Sequence, residues 1–189
     1  NPDFIKELGD RYLATVDLHR DGAKHFIDKM PANFLYYKFI KLALPGSKFV
    51  HVYRDSWDNA ISLFKANYQD TIIYASSFFG IATEYSNYSH LMKFWEKTSS
   101  DPCFFNVSYE DLVSNTDKII HDLWNYCGLK GNFSSEKRKS HYANTASQQQ
   151  VSREIYKTSL KKEEFAAFKE QFYTDLAQQN TFWQKIGLF

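Results

Sequence analysis

Arg54, Asp58 and Ser62 recur at intervals of four residues, directly after the run Lys48-Phe49-Val50-His51-Val52-Tyr53. If that run is a strand and a helix follows it, Arg54 emerges at the carboxyl edge of a sheet and Ser62 shares a helix face with Asp58. A guanidinium beside a hydroxyl suits a phosphate, because arginine offers paired donors in a fixed fork. The plainer use of the same residues is an Arg54–Asp55 or Arg54–Asp58 surface pair. His51 alternates with Phe49 and Tyr53 on one strand face and reads as a satisfied core histidine rather than a base. A second group is Asp28-Lys29-Met30-Pro31-Ala32-Asn33. There Lys29 would stand between a strand end and a helix start, where its ammonium and unpaired backbone N–H groups both favour an anion. The plainer alternative is a surface lysine at a turn.

A third feature is a local excess of charge. Between Ser134 and Lys162 the cations Lys137, Arg138, Lys139, Arg153, Lys157, Lys161 and Lys162 face only Glu136 and Glu154. The segment has little apolar patterning. It reads either as a solvated loop or as a flap over an anionic ligand.

The elements that must position these groups alternate along the chain. Apolar residues at 4, 5, 8, 12, 13 and 16 give a helix over Phe4–Leu18, closed by Gly22. His25-Phe26-Ile27 reads as a short buried strand, and Pro31 marks a strand-to-helix turn. A helix is expected over Asn33–Leu44, stopped by Pro45-Gly46, then the strand Lys48–Tyr53. Asp55 or Ser56 caps a helix running to about Asn67. Further helices are expected over Phe78–Lys97 and from the capping-box-like Ser114–Asp117 to Gly128, with a strand at Cys103–Val107 between them. The tail from Lys161 to Gln179 is again helical. This order predicts an α/β chain with a parallel sheet, whose ligands bind beyond the carboxyl ends of the strands.

Composition bounds the reading. The 189 residues suit one compact domain, with 43% apolar and 24% charged residues, which excludes disorder, collagen and coiled coil. Aromatics reach 18%, with 17 Phe and 13 Tyr, so a ring-rich core is expected. A net charge of +1 argues against a general nucleic-acid binder. The uncharged stretch Thr71–Thr83 falls short of the ~20 residues of a membrane span. Cys103 and Cys127 form no C-x-x-C pair, which excludes a zinc ribbon and leaves the compartment open. Asn-x-Ser/Thr sequons begin at Asn87, Asn106 and Asn132. Asn106 falls in an apolar strand-like run, so they read as chance matches.

Taken together and in order, the motifs resemble those of sulfotransferases. Ile27-Asp28-Lys29-Met30-Pro31-Ala32-Asn33-Phe34 is similar to the D-K-x-P-x-N-F signature of bacterial enzymes of that family, including those attached to tetratricopeptide repeats. Pro45 to Asp55, with Asp58 and Ser62, resembles the 3′-phosphate strand, turn and helix. Tyr109-Glu110-Asp111-Leu112-Val113 resembles the segment after the next strand. Thr145-Ala146-Ser147-Gln148-Gln149-Gln150-Val151, with Ile155-Tyr156 and Ser159, resembles the cofactor flap. The protein-tyrosine sulfotransferases are more distant relatives by the same pattern.

The resemblance implies a P-loop-type three-layer α/β fold and a donor, 3′-phosphoadenosine 5′-phosphosulfate, with no metal. It implies sulfuryl transfer to a hydroxyl acceptor. In its terms Arg54 and Ser62 hold the 3′-phosphate, Tyr109 contacts the nucleotide, and Lys161 or Lys162 closes over the phosphates. Lys29 stabilises the charge developing in transfer and Ser147 assists on the same side. The chain departs from the family in one large respect. The Gly-rich 5′-phosphosulfate loop and first strand should precede Lys29 by about a hundred residues, and the seven glycines (9, 22, 46, 80, 128, 131, 187) include no such cluster. Lys38 replaces a common glycine, and Glu163 stands where relatives carry an aromatic. Residues 1–189 are therefore expected to be a single domain corresponding to the C-terminal two-thirds of the family fold. The alternative is a naturally short, non-catalytic nucleotide-binding or interaction module. A small-molecule kinase on the same fold would also need the missing loop and would lack the flap motifs. Acceptor recognition is expected around Gln69–Phe79, and an open sheet edge could pair with a second copy.

Overall fold

The structure is a computed structural model that describes residues 2–66, 72–99, 104–130 and 162–185. Its elements run α1 (Pro2–Asp17), a 3-10 turn (Pro31–Tyr36) continuing into α2 (Tyr37–Ala43), β1 (Val50–Tyr53) and α3 (Ser56–Ala66). After a 3-10 turn at Ile73–Ser76 come α4 (Phe78–Thr98), β2 (Phe105–Ser108), α5 (Tyr109–Ser114) and α6 (Thr116–Cys127). A last 3-10 turn (Lys162–Phe165) leads into α7 (Ala166–Lys185).

β1 and β2 pair in parallel, Val50 opposite Phe105 and Tyr53 opposite Ser108. Both strands therefore end on the same side, where Arg54 and Tyr109 follow them. This mixed helix and strand content with a small parallel sheet fits the expected α/β class. The helix N-termini are set by local chemistry. The Asp55 carboxylate accepts the Asp58 N–H at 2.9 Å, Ser77 Oγ accepts the Gly80 N–H at 3.0 Å, and Ser108 Oγ accepts the Asp111 N–H at 3.2 Å. Gly128 ends α6 in the left-handed conformation, φ 69°, where a side chain would be strained.

The core lies among helices. Trp57, Ala60 and Ile61 of α3, Ile81 and Ala82 of α4 and Phe172 of α7 bury one another, with Phe64, Phe78 and Phe165 packed around them. The ring-rich expectation is met in Trp57 against Phe172 at 5.4 Å and Phe64 stacked on Phe78 at 4.7 Å. A second aromatic group joins α2 to the strands, with Tyr37 against Phe49 at 4.7 Å and Phe104 at 4.5 Å.

Three local expectations are corrected. His25–Ile27 forms no strand among the described residues, because a strand needs a ladder partner and none lies alongside. Ile27 is 93% exposed rather than buried. The helix expected from Asn33 begins at Pro31 as a 3-10 turn, with proline at its first position and Met30 extended before it. α6 starts at Thr116 as expected, yet its N-cap Asn115 makes no side-chain capping bond. The amide of Asn115 instead donates to Ser114 Oγ at 3.3 Å.

Candidate functional site

The site is built where β1 and β2 end. Arg54 leaves β1 and lies over the ring of Tyr109, the first residue of α5, with the guanidinium carbon 4.7 Å from the ring centre. Such stacking holds the planar guanidinium against one face and leaves its edge donors for other partners. One of its terminal nitrogens lies 3.6 Å from the Asp58 carboxylate, and both side chains are more than four-fifths buried. Its Nε is buried without a hydrogen-bond partner among the described residues. Lys162 approaches from the C-terminal turn, its Nζ 2.6 Å from the other Asp58 oxygen. Ser62, one turn beyond Asp58, is half-buried on the same helix.

Glu110 locks the two strand ends together. Its carboxylate accepts the Asp55 N–H at 3.1 Å and the Ser108 hydroxyl at 2.9 Å. Partial burial pushes this carboxyl up. The bonds from the Asp55 N–H, its own N–H and Ser108, with the charge of Arg54, outweigh that and hold it below its ordinary value. Beneath the strands, Tyr88 of α4 hydrogen-bonds to His51 Nε2. Burial first, then the charges around Tyr85, Tyr53 and Glu96, raises the Tyr88 hydroxyl and keeps it a proton donor.

Lys29 is placed separately, in the segment before the Pro31 turn, and its side chain is exposed. The segment is pinned through its neighbour Asp28, which accepts the Tyr12 hydroxyl at 2.5 Å and the Asn33 amide at 3.4 Å. The turn that follows is fixed on α4. Trp95 Nε1 donates to the Phe34 carbonyl at 2.9 Å, and the Phe34 ring meets Tyr88 edge-on at 5.4 Å. Tyr88 thus touches both the Lys29 turn, through Phe34, and β1, through His51. Of the residues singled out from the sequence, Arg54 and Tyr109 are in contact, and Lys162 reaches Arg54 through Asp58. Ser147 and Lys161 lie outside the described residues, as does nearly all of the cationic run.

The Arg54–Asp58 pair weighed in the sequence is present, but it is buried and shared with a third charge rather than a surface pair. His51 is satisfied on both ring nitrogens, as expected, though half-buried rather than in the core. Sequence reasoning missed Glu110 as the brace between strands and Tyr88 as the link beneath them. The i, i+4 spacing was a signal for Asp58. Tyr88 had none, because its partners lie 37 and 54 positions away in the chain.

The donors fit an anion. A stacked guanidinium, its buried Nε without a partner among the described residues, and an ammonium meet at Asp58 beyond the end of a parallel strand, with the half-buried Ser62 one turn further along the helix. Comparison with known proteins decides what kind of chain carries them. A model of the sulfotransferase family matches residues 3–135. The chain belongs to the sulfotransferase family. The matched span contains Lys29, Arg54, Ser62 and Tyr109. The chain is also similar to an uncharacterized protein of Aquifex aeolicus (strain VF5), 26% identical over 168 residues, covering 84% of this chain and 21% of that protein. It therefore spans about a fifth of the length of that curated relative. No solved structure matches. No described helix is long and apolar enough to cross a membrane, and no metal-holding cluster of His, Cys, Asp and Glu occurs among the described residues.

Proposed function

We propose that this sulfotransferase chain carries the 3′-phosphate half of a site for 3′-phosphoadenosine 5′-phosphosulfate and serves sulfuryl transfer to a hydroxyl acceptor. The observation that carries the reading is Arg54: stacked on Tyr109, largely buried, and with Nε unpaired among the described residues. A buried donor without a partner costs stability unless a ligand completes it. The bound donor would supply an activated sulfuryl group. Arg54 and Ser62 would grip the 3′-phosphate, and Tyr109 would hold the guanidinium flat beneath it. Lys29, at the start of the Pro31 turn, would offset negative charge gathering on the oxygen that leaves sulfur, since charge stabilisation dominates catalysis of such transfers. Ser147 is proposed to assist transfer, and Lys161 or Lys162 to close over the phosphates, the roles the family pattern gives them.

The alternative reading is a nucleotide-binding module without catalysis. Both readings share the Arg54 site. Calorimetric titration with adenosine 3′,5′-bisphosphate and adenosine 5′-monophosphate tests it. The wild type is expected to prefer the bisphosphate, and Arg54→Ala to lose ~1.5–3 kcal/mol of that binding. Equal affinities for wild type and Arg54→Ala would remove the nucleotide site. Transfer from labelled donor to hydroxyl acceptors then separates the enzyme from the binding module.

A further inference from the structure

The Asp58 carboxylate is the meeting point of the site's two described cations. One oxygen lies 3.6 Å from an Arg54 terminal nitrogen and the other 2.6 Å from Lys162 Nζ. The residue sits in the first turn of α3, where the helix N-terminus favours negative charge. Lys162 opens the turn into α7, and the same turn meets α3 a second time through Lys65, 3.8 Å from Glu164 and 5.7 Å from the centre of the Phe165 ring. Asp58 therefore links an element at the nucleotide strand with one that begins a hundred residues later in the sequence.

A carboxylate beside an anion site poses a question of sign. By charge alone, Asp58 repels an incoming phosphate, and its removal should tighten binding. Geometry argues the reverse. At 3.6 Å the contact with Arg54 is an ion pair beyond hydrogen-bond length, so the N–H donors of the guanidinium stay available. Lys162 is half-exposed, and among the described residues Asp58 is its ion-pair partner near Arg54. Without the carboxylate the two cations repel each other and Lys162 returns to water, leaving the ligand to order both side chains as it binds. The charge of Asp58 is already offset by two cations, whereas its geometric effect is not offset by anything.

We infer that Asp58 is a positioning residue, which holds Arg54 and Lys162 converged for the phosphate and thereby strengthens anion binding despite its own negative charge. The inference rests on the nucleotide reading above. It also gives Lys162 a definite place, as a group held at the site before the ligand arrives.

The test is calorimetric titration with adenosine 3′,5′-bisphosphate, with thermal melting of each variant alongside. Asp58→Asn is expected to weaken binding about tenfold, the scale of ordering a rotamer-rich side chain on binding. Lys162→Met should weaken it similarly. The double variant should be no weaker than Asp58→Asn alone, because both changes break one linkage. Asp58→Glu should recover part of the loss, which a general weakening of the fold would not. Lys65→Met, which loosens the same turn without touching Asp58, should bind as the wild type does. Asp58→Asn binding equally or more tightly than wild type would overturn the inference while leaving the nucleotide site intact. Wild type that fails to bind at millimolar ligand would instead remove the nucleotide reading, and the inference with it. If Asp58→Asn loses its melting transition, Lys162→Met against Lys65→Met decides, and equal affinities there overturn it.

Discussion

His51 donates from Nδ1 to the side-chain oxygen of Asn106, 2.7 Å away across the parallel pair. The direction is fixed by the far end of the amide. Asn106 Nδ2 points to a Glu96 carboxylate oxygen at 3.4 Å, and an ionised carboxylate only accepts. The amide oxygen must therefore face His51, whose Nδ1 carries the proton, and Nε2 is left to accept from Tyr88. Nitrogen–proton correlation spectra of the neutral imidazole should show the Nδ1–H tautomer. Observation of Nε2–H would reverse the chain of donors, and Asn106→Ala should abolish the preference at a cost of about 1 kcal/mol.

Lys29 and Arg54 should separate in kinetics. A group that meets charge only as it develops affects turnover and not ground-state binding. Lys29→Ala is expected to lower turnover ~10²–10³-fold with donor affinity little changed. Arg54→Ala should instead weaken donor binding and change the rate at saturating donor far less. Transfer of label from donor to a panel of hydroxyl acceptors measures both. Near-normal turnover of Lys29→Ala would leave Lys29 a feature of the fold and not of the chemistry.

Tyr12 ties α1 to the segment carrying Lys29, and that tie depends on pH. Burial, then the bond to Asp28 and its charge, pushes the Tyr12 hydroxyl up from 10.0 to about 12. The folded state holds this proton more tightly than the unfolded one. The stabilisation is therefore complete below pH 10 and is lost as pH rises through about 12. Denaturant titrations across that window should show wild type converging on Tyr12→Phe. A constant gap between the two would mean that the bond contributes nothing.

Gly9 is where α1 presses on α2. A Cβ built there would lie 2.0 Å from the Ala43 carbonyl oxygen, a backbone atom that cannot turn aside. Gly9→Ala should force the helices apart and destabilise by ~1–3 kcal/mol, although alanine is the better helix former. The denaturation midpoint reads this directly, and an unchanged or higher midpoint would show that the two helices are not held in contact.

Much of the site could be read from the sequence because its signals are local. The strand before Arg54, the cap at Asp55 and the spacing to Asp58 and Ser62 lie within fifteen residues. Long-range relations had no such signal. Nothing near Tyr88 announces His51, and nothing near Lys162 announces Asp58. His25–Ile27 shows the opposite failure. Its composition suits a strand, but a ladder is a property of two segments, and only one is present among the described residues. The assignments of Ser147 and Lys161 rest on family pattern alone.

The placement of Phe172 against Trp57 has a consequence for the order of events in folding. The site's scaffold, β1 to α4, cannot bury Trp57, Ile61 and Ile81 until α7 arrives, and α7 is far away in sequence. Closing so long a chain segment precedes the contacts that reward it, so this step should limit the folding rate. Phe172→Ala is expected to cost ~3–5 kcal/mol. If helix docking is the barrier, part of that cost should slow refolding in stopped-flow measurements. A purely faster unfolding arm would place the docking after the barrier. During synthesis, β1 would then leave the ribosome well before its own supporting core is complete.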